Sequence, residues 1–166
     1  MQKVIIIGCP GSGKSTFSRA LNKITHLPLY HLDMLYWNSD KTTVSRDIFD
    51  ARLNNVMRGE KWIIDGNYAR TMERRIDACD TVFFLDLPTE VCLDGIEKRK
   101  GKPRSDMPFE DIGEDPEFIE MIKNFNSQNR PEIIKLFEKY SSKNIVVFNS
   151  REESEKYLSV LNVKGE

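Results

Sequence analysis

The sequence predicts an α/β domain built on a parallel sheet. Strand-like and helix-like segments alternate along the chain, the strand-like ones are short and rich in β-branched residues, and aspartates follow three of them. A length of 166 residues suffices for one domain with a sizeable core, and no internal repeat or low-complexity linker divides it. We therefore expect a single domain over residues 1–166.

The first half of the chain contains two predicted strands and two predicted helices. Residues 3–7 are a β-branched run typical of a buried central strand, and a helix is expected to follow over residues 14–22. Residues 27–32 are predicted as the second strand, ending at Asp33. Ser45 is a suitable N-cap for a helix over residues 45–58, whose buried positions would include Ile48, Leu53 and Val56.

The second half continues the alternation. Residues 61–64 are predicted as the third strand, closed by Asp65-Gly66, and residues 81–85 as the fourth, ending at Asp86; Pro88 then opens a helix over residues 89–99. Residues 100–115 carry two glycines and two prolines and indicate an ordered excursion. A helical stretch over residues 116–140 is expected to be interrupted before Pro131. Residues 144–148 are the fifth predicted strand and 152–161 the last helix.

A phosphate-binding loop (P-loop) is predicted at residues 8–15, whose sequence GCPGSGKS matches G-x-x-x-x-G-K-[ST] at every fixed position. Its glycines allow a tight turn in which backbone N–H groups face phosphate oxygens, and the helix that begins here adds a favourable dipole. Lys14 is expected to reach the β- and γ-phosphates, and Ser15 to hold Mg²⁺. The residues assigned to ATP in this segment are Gly8, Pro10, Gly11, Ser12, Gly13, Lys14, Ser15 and Thr16.

The class of P-loop protein is narrowed by motifs that are absent from the sequence. A GTPase would need a D-x-x-G segment, yet no aspartate is followed by glycine three residues later. The nearest match to the base-reading motif N-K-x-D, at residues 22–25, lacks its aspartate. A small kinase with ATP and Mg²⁺ as cofactors is therefore the favoured interpretation, although the sequence does not decide between ATP and GTP.

A kinase needs a carboxylate at a strand end beside the P-loop, where it organises Mg²⁺. Asp65 fits this role best, together with Ser15; the alternative is a simple Asp-Gly turn. Asp33 ends a strand at the same sheet edge and could orient an acceptor hydroxyl as a base or lie near the metal. Asp86 precedes a predicted helix, and capping of that helix is a simpler explanation for this residue than a functional role.

A kinase also needs positive charge on a closing lid, and residues 100–115 are predicted to be that lid. Five cations fall within seven residues: Lys98, Arg99, Lys100, Lys102 and Arg104. The alternative is a solvated helix end that complements the helix dipole. Arg104, and Arg130 on the following helix, are assigned catalytic roles with Lys14 and Asp33, and Arg99 is assigned to the nucleotide.

An acceptor site is predicted from the polar and aromatic residues that follow the second and third strands. The assigned residues are Asp33, Tyr36, Trp37, Asp65, Gly66, Asn67, Tyr68 and Arg70, and residues 34–60 would form a small acceptor-binding region. The aromatic rings could stack on a flat base or sugar, and Arg70 could clamp a phosphate. Core packing is an equally good account of Trp37 and Tyr68.

Composition limits the partners. The net charge of −1 gives no reason to expect binding to nucleic acid or to an anionic membrane. No apolar run approaches the roughly 20 residues of a membrane span, and a cytoplasmic location is expected. Three dispersed cysteines argue against a disulfide framework or a zinc site, and His26 and His31 are each expected to be structural or surface residues.

Several segments resemble the DNA topology modulation proteins, a family of adenylate-kinase-related P-loop kinases. They are the P-loop, residues 31–33 with Tyr36-Trp37, the run WIIDGNY at residues 62–68, PRSDM at residues 103–107, and Arg130 before Pro131. The resemblance covers nearly the whole chain. It implies a nucleoside-phosphate-kinase fold of three layers, with a five-stranded parallel sheet in the order 2-3-1-4-5, and ATP-dependent kinase-like activity.

The acceptor remains open. Nucleoside monophosphate kinases usually carry Asp-Gly-Phe-Pro-Arg after the third strand, whereas residues 65–70 here are DGNYAR. A shikimate- or gluconate-type kinase differs only in its acceptor, but the Asp-x-Asp of shikimate kinases is replaced by Asp33-Met34-Leu35. We expect a monomeric or weakly dimeric kinase; the alternative is a regulatory ATPase that binds DNA or a protein partner and hydrolyses ATP slowly.

Overall fold

A computed structural model of the chain describes residues 1–110 and 115–165. The strands are β1 (Lys3–Gly8), β2 (Leu29–His31), β3 (Trp62–Asp65), β4 (Thr81–Leu85) and β5 (Asn144–Phe148). The helices are α1 (Lys14–Thr25), α2 (Leu32–Tyr36), α3 (Arg46–Met57), α4 (Ala69–Ala78), α5 (Thr89–Arg99), α6 (Pro116–Asn124), α7 (Arg130–Lys139) and α8 (Arg151–Gly165). The strands are parallel and lie in the order β2-β3-β1-β4-β5, as predicted.

The centre of the sheet is apolar on both faces because helices cover it on either side. Val4, Ile5, Ile6 and Ile7 of β1 are completely buried, and every residue of β3 and β4 is buried. This explains why these strands are continuous apolar runs rather than alternating ones. No helix in the described part of the chain is long and apolar enough to cross a membrane.

Helix α3 confirms the predicted cap but not every predicted core position. The Ser45 hydroxyl accepts a hydrogen bond from the Ile48 N–H at 3.3 Å, as an N-cap does. Ile48 itself is 48% exposed, so its predicted burial is wrong. Phe49 is buried instead, since it lies four residues before Leu53 and seven before Val56 on one helical face.

The second strand is shorter than predicted, and this moves Asp33. Strand β2 ends at His31, and Leu32 begins the short helix α2, so Asp33 lies in the first turn of a helix and not at a strand end. Leu32 is fully buried, and a Cβ atom at Gly66 would lie 3.0 Å from its side chain. Leu32 therefore packs tightly against Gly66 at the point where the chain leaves β2 and enters α2.

Two further helical regions differ from, or extend, the sequence prediction. Helix α4 was not predicted from the sequence. The interruption before Pro131 is confirmed: a π-helical turn at Phe125–Asn129 separates α6 from α7. Proline lacks the N–H that would continue regular helical bonding, which accounts for a break at this place. Of the predicted lid, residues 111–114 lie outside the described residues.

Candidate active site

The P-loop connects β1 to α1 and has the backbone conformation that its glycines permit. Gly11 and Gly13 have φ angles of 84° and 99°, in the left-handed region that side chains disfavour. A Cβ atom on Gly11 would lie only 2.0 Å from the carbonyl oxygen of Cys92, so the loop packs directly on helix α5. The Lys14 ammonium donates to the Cys9 carbonyl at 3.3 Å, which places it inside the loop.

The electrostatic surroundings of Lys14 combine burial with negative charge. Burial lowers the pKa of Lys14, and the carboxylates of Asp65 and Asp33 act in the opposite direction. Both predicted carboxylates therefore lie close enough to act on the P-loop lysine. The structure thus brings together three residues that are distant in the sequence.

Asp65 and Ser15 form the pair predicted to hold Mg²⁺. Asp65 is 4% exposed, and its Oδ2 accepts from the Ser15 hydroxyl at 3.1 Å and from His31 Nδ1 at 2.7 Å. Its Oδ1 is buried and has no hydrogen-bond partner among the described residues. An unsatisfied carboxylate oxygen beside a hydroxyl fits the oxygen ligands that Mg²⁺ prefers, directly or through its waters.

The segment predicted to be the lid reaches the same hydroxyl. Asp106 accepts from Ser15 Oγ at 2.8 Å and is bound by Arg104 through Nε at 3.1 Å and Nη2 at 2.8 Å. Burial alone would raise the pKa of Asp106, but the Arg104 guanidinium and the Ser15 hydroxyl outweigh it and leave that pKa below its usual range. Arg104 is therefore fixed beside the P-loop, as predicted for a lid arginine.

The other predicted cations lie in different surroundings. Arg99 lies 5.9 Å from the ring centre of Phe118 and lines the cavity described below. Arg130 binds the carboxylate of Asp86 through Nε and Nη2 at 2.8–3.0 Å. Asp86 thus pairs with Arg130 instead of capping α5, whose N-cap is Pro88.

Three of the predicted acceptor residues, Tyr36, Trp37 and Tyr68, pack with Phe49 and Phe109 in one aromatic cluster. We call these five residues the acceptor cluster. Neighbouring ring centres in it are 5.1–5.7 Å apart. Phe109 belongs to the lid, so the lid and residues 34–60 meet over Trp37. Phe49 is core, whereas Tyr36, Trp37 and Tyr68 are only partly buried.

Asp33 lies beside this cluster. Its Oδ1 accepts a hydrogen bond of 2.5 Å from the Tyr68 hydroxyl. Burial raises the pKa of Asp33, while Tyr68 and Lys14 oppose the rise. Arg70, the predicted phosphate clamp, is instead bound to Asp50 on α3 through two hydrogen bonds of 2.6 and 3.1 Å.

Three side chains beside the P-loop have contacts that the sequence analysis did not predict. His31 orients Asp65, and the register that sets His31 opposite Asp65 on adjacent strands was a usable signal. Asn67 was assigned to substrate, yet its side-chain amide holds Gly8, accepting from the N–H at 3.1 Å and donating to the carbonyl at 2.7 Å. Arg151, at the start of α8, donates to the Gly11 carbonyl at 3.0 Å.

A cavity of about 930 Å³ opens from the P-loop. Its walls come from the P-loop with the first turns of α1, the end of α5, the lid, and the first two turns of α8. Lys14, Ser15, Arg99 and Arg104 all line it, whereas the predicted nucleotide ligands Gly8 and Pro10 do not. The volume is adequate for a nucleotide.

The fold is that of the P-loop kinases, with a three-layer, nucleoside-phosphate-kinase-like arrangement. A shikimate kinase from Acinetobacter baumannii, solved in complex with shikimate, matches with a TM-score of 0.60 at 15% identity over 99% of this chain and 95% of that one. A shikimate kinase from Bacteroides thetaiotaomicron matches with a TM-score of 0.56 at 19% identity over 97% and 96%.

A gluconokinase from Sinorhizobium meliloti 1021 has the same fold, with a TM-score of 0.58 at 13% identity over 99% of this chain and 90% of its own. At these identities the likeness concerns the fold. No protein-family model and no curated protein matches the chain. The resemblance to the DNA topology modulation proteins therefore stays a prediction.

Proposed function

We propose that this protein is a kinase that transfers the γ-phosphoryl group of ATP to a small acceptor. The observation that carries the proposal is the position of the Ser15 hydroxyl. It lies within hydrogen-bond distance of Asp65 at the end of β3 and of Asp106 in the lid, and it belongs to the P-loop. A nucleotide-binding loop, a metal-organising carboxylate and a lid that meet at one atom are the parts that phosphoryl transfer requires.

The nucleotide would occupy the cavity with its phosphates at the P-loop. Lys14 and the loop N–H groups would bind the β- and γ-phosphates, and Arg99 and the start of α8 would line the space for the base. Ser15 and Asp65 are the residues that would hold Mg²⁺. When bound, the ion would neutralise phosphate charge as the terminal group leaves.

Arg104 would stabilise the charge that develops on the transferring group. Its pairing with Asp106 fixes the guanidinium beside Ser15, so little reorganisation would be needed when the nucleotide arrives. Arg130 is held by Asp86 in the same way, but unlike Arg104 it does not line the cavity. We therefore assign the larger catalytic effect to Arg104.

The acceptor would bind between Asp33 and the partly buried rings of the acceptor cluster. Asp33 would orient the attacking hydroxyl and accept its proton, a role for which a carboxylate with a raised pKa is suited. The fold shared with enzymes named for shikimate and gluconate supports a small hydroxylated acceptor, and a nucleotide remains the alternative. Arg70 could clamp a phosphate on that acceptor only by leaving Asp50.

The proposal divides residues 1–166 into a kinase core, an acceptor-binding region at residues 34–60 and a lid at residues 100–115. The contact between Trp37 and Phe109 supports this division, since it joins the two peripheral parts across the cleft. We propose a monomer or a weak homodimer.

The test is consumption of ATP-Mg by purified protein against nucleoside monophosphates, nucleosides, and hydroxylated and sugar acids. Lys14→Ala serves as the control. Turnover above about 1 s⁻¹ with one acceptor, lost in the variant, would establish a kinase and identify its substrate. Slow hydrolysis that no acceptor stimulates would contradict the proposal, and a salt-dependent affinity for duplex DNA would then favour a regulatory ATPase.

A further inference from the structure

Arg75 of helix α4 is a completely buried arginine whose two terminal nitrogens, Nη1 and Nη2, donate to one short loop. Its guanidinium donates to three consecutive carbonyls, those of Gly66 at 3.0 Å, Asn67, and Tyr68 at 3.3 Å. Its Nε donates to the Thr71 hydroxyl at 3.3 Å. No carboxylate within the described ranges lies at ion-pair distance from it. The guanidinium thus donates the hydrogen bonds that water would otherwise donate to the carbonyls of this turn.

This arrangement is costly for a side chain that served only to fill space. A buried charge loses its hydration, which the Asp65 carboxylate offsets only in part and without direct contact, and a hydrophobic residue of similar volume would pack there at lower cost. Burial lowers the pKa of Arg75 to about 9, so the group still carries its charge at neutral pH. The fixed fork of a guanidinium can satisfy several carbonyls in one plane, which neither an ammonium nor an amide can do.

The loop that Arg75 holds is strained. Gly66 has a φ of 139° and Tyr68 a φ of 40°, and the second value is unfavourable for a residue with a side chain. Three adjacent carbonyls that converge on one point would also repel each other without a cation between them. Strain of this kind persists only where the surroundings enforce it, and it concentrates at functional sites.

The side chains of this loop connect the two halves of the candidate active site. The Asn67 amide makes two hydrogen bonds to the backbone of Gly8 in the P-loop. The Tyr68 hydroxyl donates to Asp33, the proposed acceptor base. The backbone that carries both side chains is the backbone that Arg75 binds.

We propose that Arg75 is a positioning residue that aligns the P-loop with the acceptor base, acting through Asn67 and Tyr68. The inference rests on the proposed kinase function for its catalytic consequence. Its structural consequence is that weakening the hydrogen bonds of Arg75 makes the P-loop more mobile at its Gly8 end, which can be measured without any catalysis. Arg75 itself touches neither the P-loop nor Asp33.

The test compares Arg75→Lys with Arg74→Lys. Arg74 is the adjacent residue on the same helix, but its side chain is exposed, and its one ion pair among the described residues is with Asp50 at 3.8 Å. We expect Arg75→Lys to lower kcat about 10- to 100-fold, measured well below its Tm, because misplacement of reacting groups by about 1 Å has effects of this size. Arg74→Lys should leave kcat and both KM values within about two-fold.

Two further readouts separate positioning from plain destabilisation. In Arg75→Ala, millimolar guanidinium should restore part of the lost turnover, whereas the same concentration of NaCl should not. Hydrogen–deuterium exchange at residues 8–15 should become faster in Arg75→Lys and stay unchanged in Arg74→Lys. A lower Tm with wild-type kcat, no rescue and unchanged exchange in the P-loop would overturn the proposal.

If Arg75→Lys does not fold, Asn67→Ser and Tyr68→Phe test the same two connections. Each should lower kcat at least five-fold, and wild-type kcat in both would refute the inference. If the wild-type protein transfers no phosphoryl group, the kinase proposal fails separately. The exchange experiment, together with the affinity for ADP, then decides the role of Arg75 alone.

Discussion

The contact between helix α5 and the P-loop leads to a sharp steric prediction for Gly95→Ala. A Cβ atom at residue 95 would lie 2.2 Å from the carbonyl oxygen of Gly11, a backbone atom, and 2.7 Å from Nη2 of Arg151. The Arg151 side chain can swing away, but the Gly11 carbonyl can move only with the loop. Real Cβ contacts essentially never fall below 3.0 Å, so loop and helix must separate by about 0.8 Å.

Two effects of this displacement can be estimated. Overpacking costs about 1–3 kcal/mol of stability, and the better helix propensity of alanine returns about 0.5–1 kcal/mol. The free energy of unfolding should therefore fall by up to about 2.5 kcal/mol, which corresponds to a Tm lower by up to about 10 °C in a chain of this size. Because the shift falls on the phosphate-binding backbone, nucleotide affinity or turnover should fall about 10- to 100-fold.

The assay is calorimetric titration with ADP and Mg²⁺, with a thermal melt of the same samples. Gly59→Ala is the matched control: it lies in the turn after α3, where the added Cβ would lie 3.1 Å from the Val56 carbonyl and require a shift of only a few tenths of an ångström. The control should bind ADP like the wild type. Wild-type affinity in a folded Gly95→Ala protein would refute the claim that α5 positions the loop.

Three other predictions concern separate parts of the site. Asp33→Asn should abolish transfer yet raise the Tm at pH 7. Burial raises the folded pKa of Asp33, so ionisation of Asp33 costs stability as the pH rises through that pKa, and the advantage of the variant should shrink as the pH is lowered towards 3. Retained turnover in that variant would exclude Asp33 as the base. Arg104→Ala should lower kcat about 10³-fold. It should also lower the Tm, because it leaves the buried Asp106 without its partner, so kcat is compared well below the Tm of the variant. Turnover within a few-fold of wild type would contradict the catalytic role. In Trp62→Phe the remaining tryptophan, Trp37, should change its fluorescence when ATP and acceptor bind; an unchanged spectrum at saturating ligand would argue against an acceptor site there.

The parts of the site that could be predicted from the sequence are those carried by contiguous residues. The P-loop is one run of eight residues between a strand and a helix, and strand ends such as Asp65 follow directly from the apolar runs before them. The strand order came from the family resemblance and is confirmed. The aromatic pair Tyr36-Trp37 did meet Tyr68, because their two strand ends are neighbours in the sheet.

The parts that could not be predicted depend on pairing across the fold. The amide of Asn67 holds Gly8 from 59 positions away, and Arg130 reaches Asp86 across 44 positions. The residues next to them in the sequence do not distinguish such side chains from surface side chains. Helix α4 was missed for a related reason: it buries Thr71 and Arg75 beside Met72 and Ile76, so its inward face does not stand out as apolar in the sequence.

The most direct test of the central claim follows the fate of the γ-phosphoryl group. The protein is incubated with ATP, Mg²⁺ and a mixture of hydroxylated acids, nucleosides and nucleotides, and the products are recorded by ³¹P NMR. A phosphorylated acceptor signal that grows in step with ADP, and that is absent with Lys14→Ala, is the predicted result. ADP accompanied only by inorganic phosphate would show transfer to water and would contradict the assignment as a kinase.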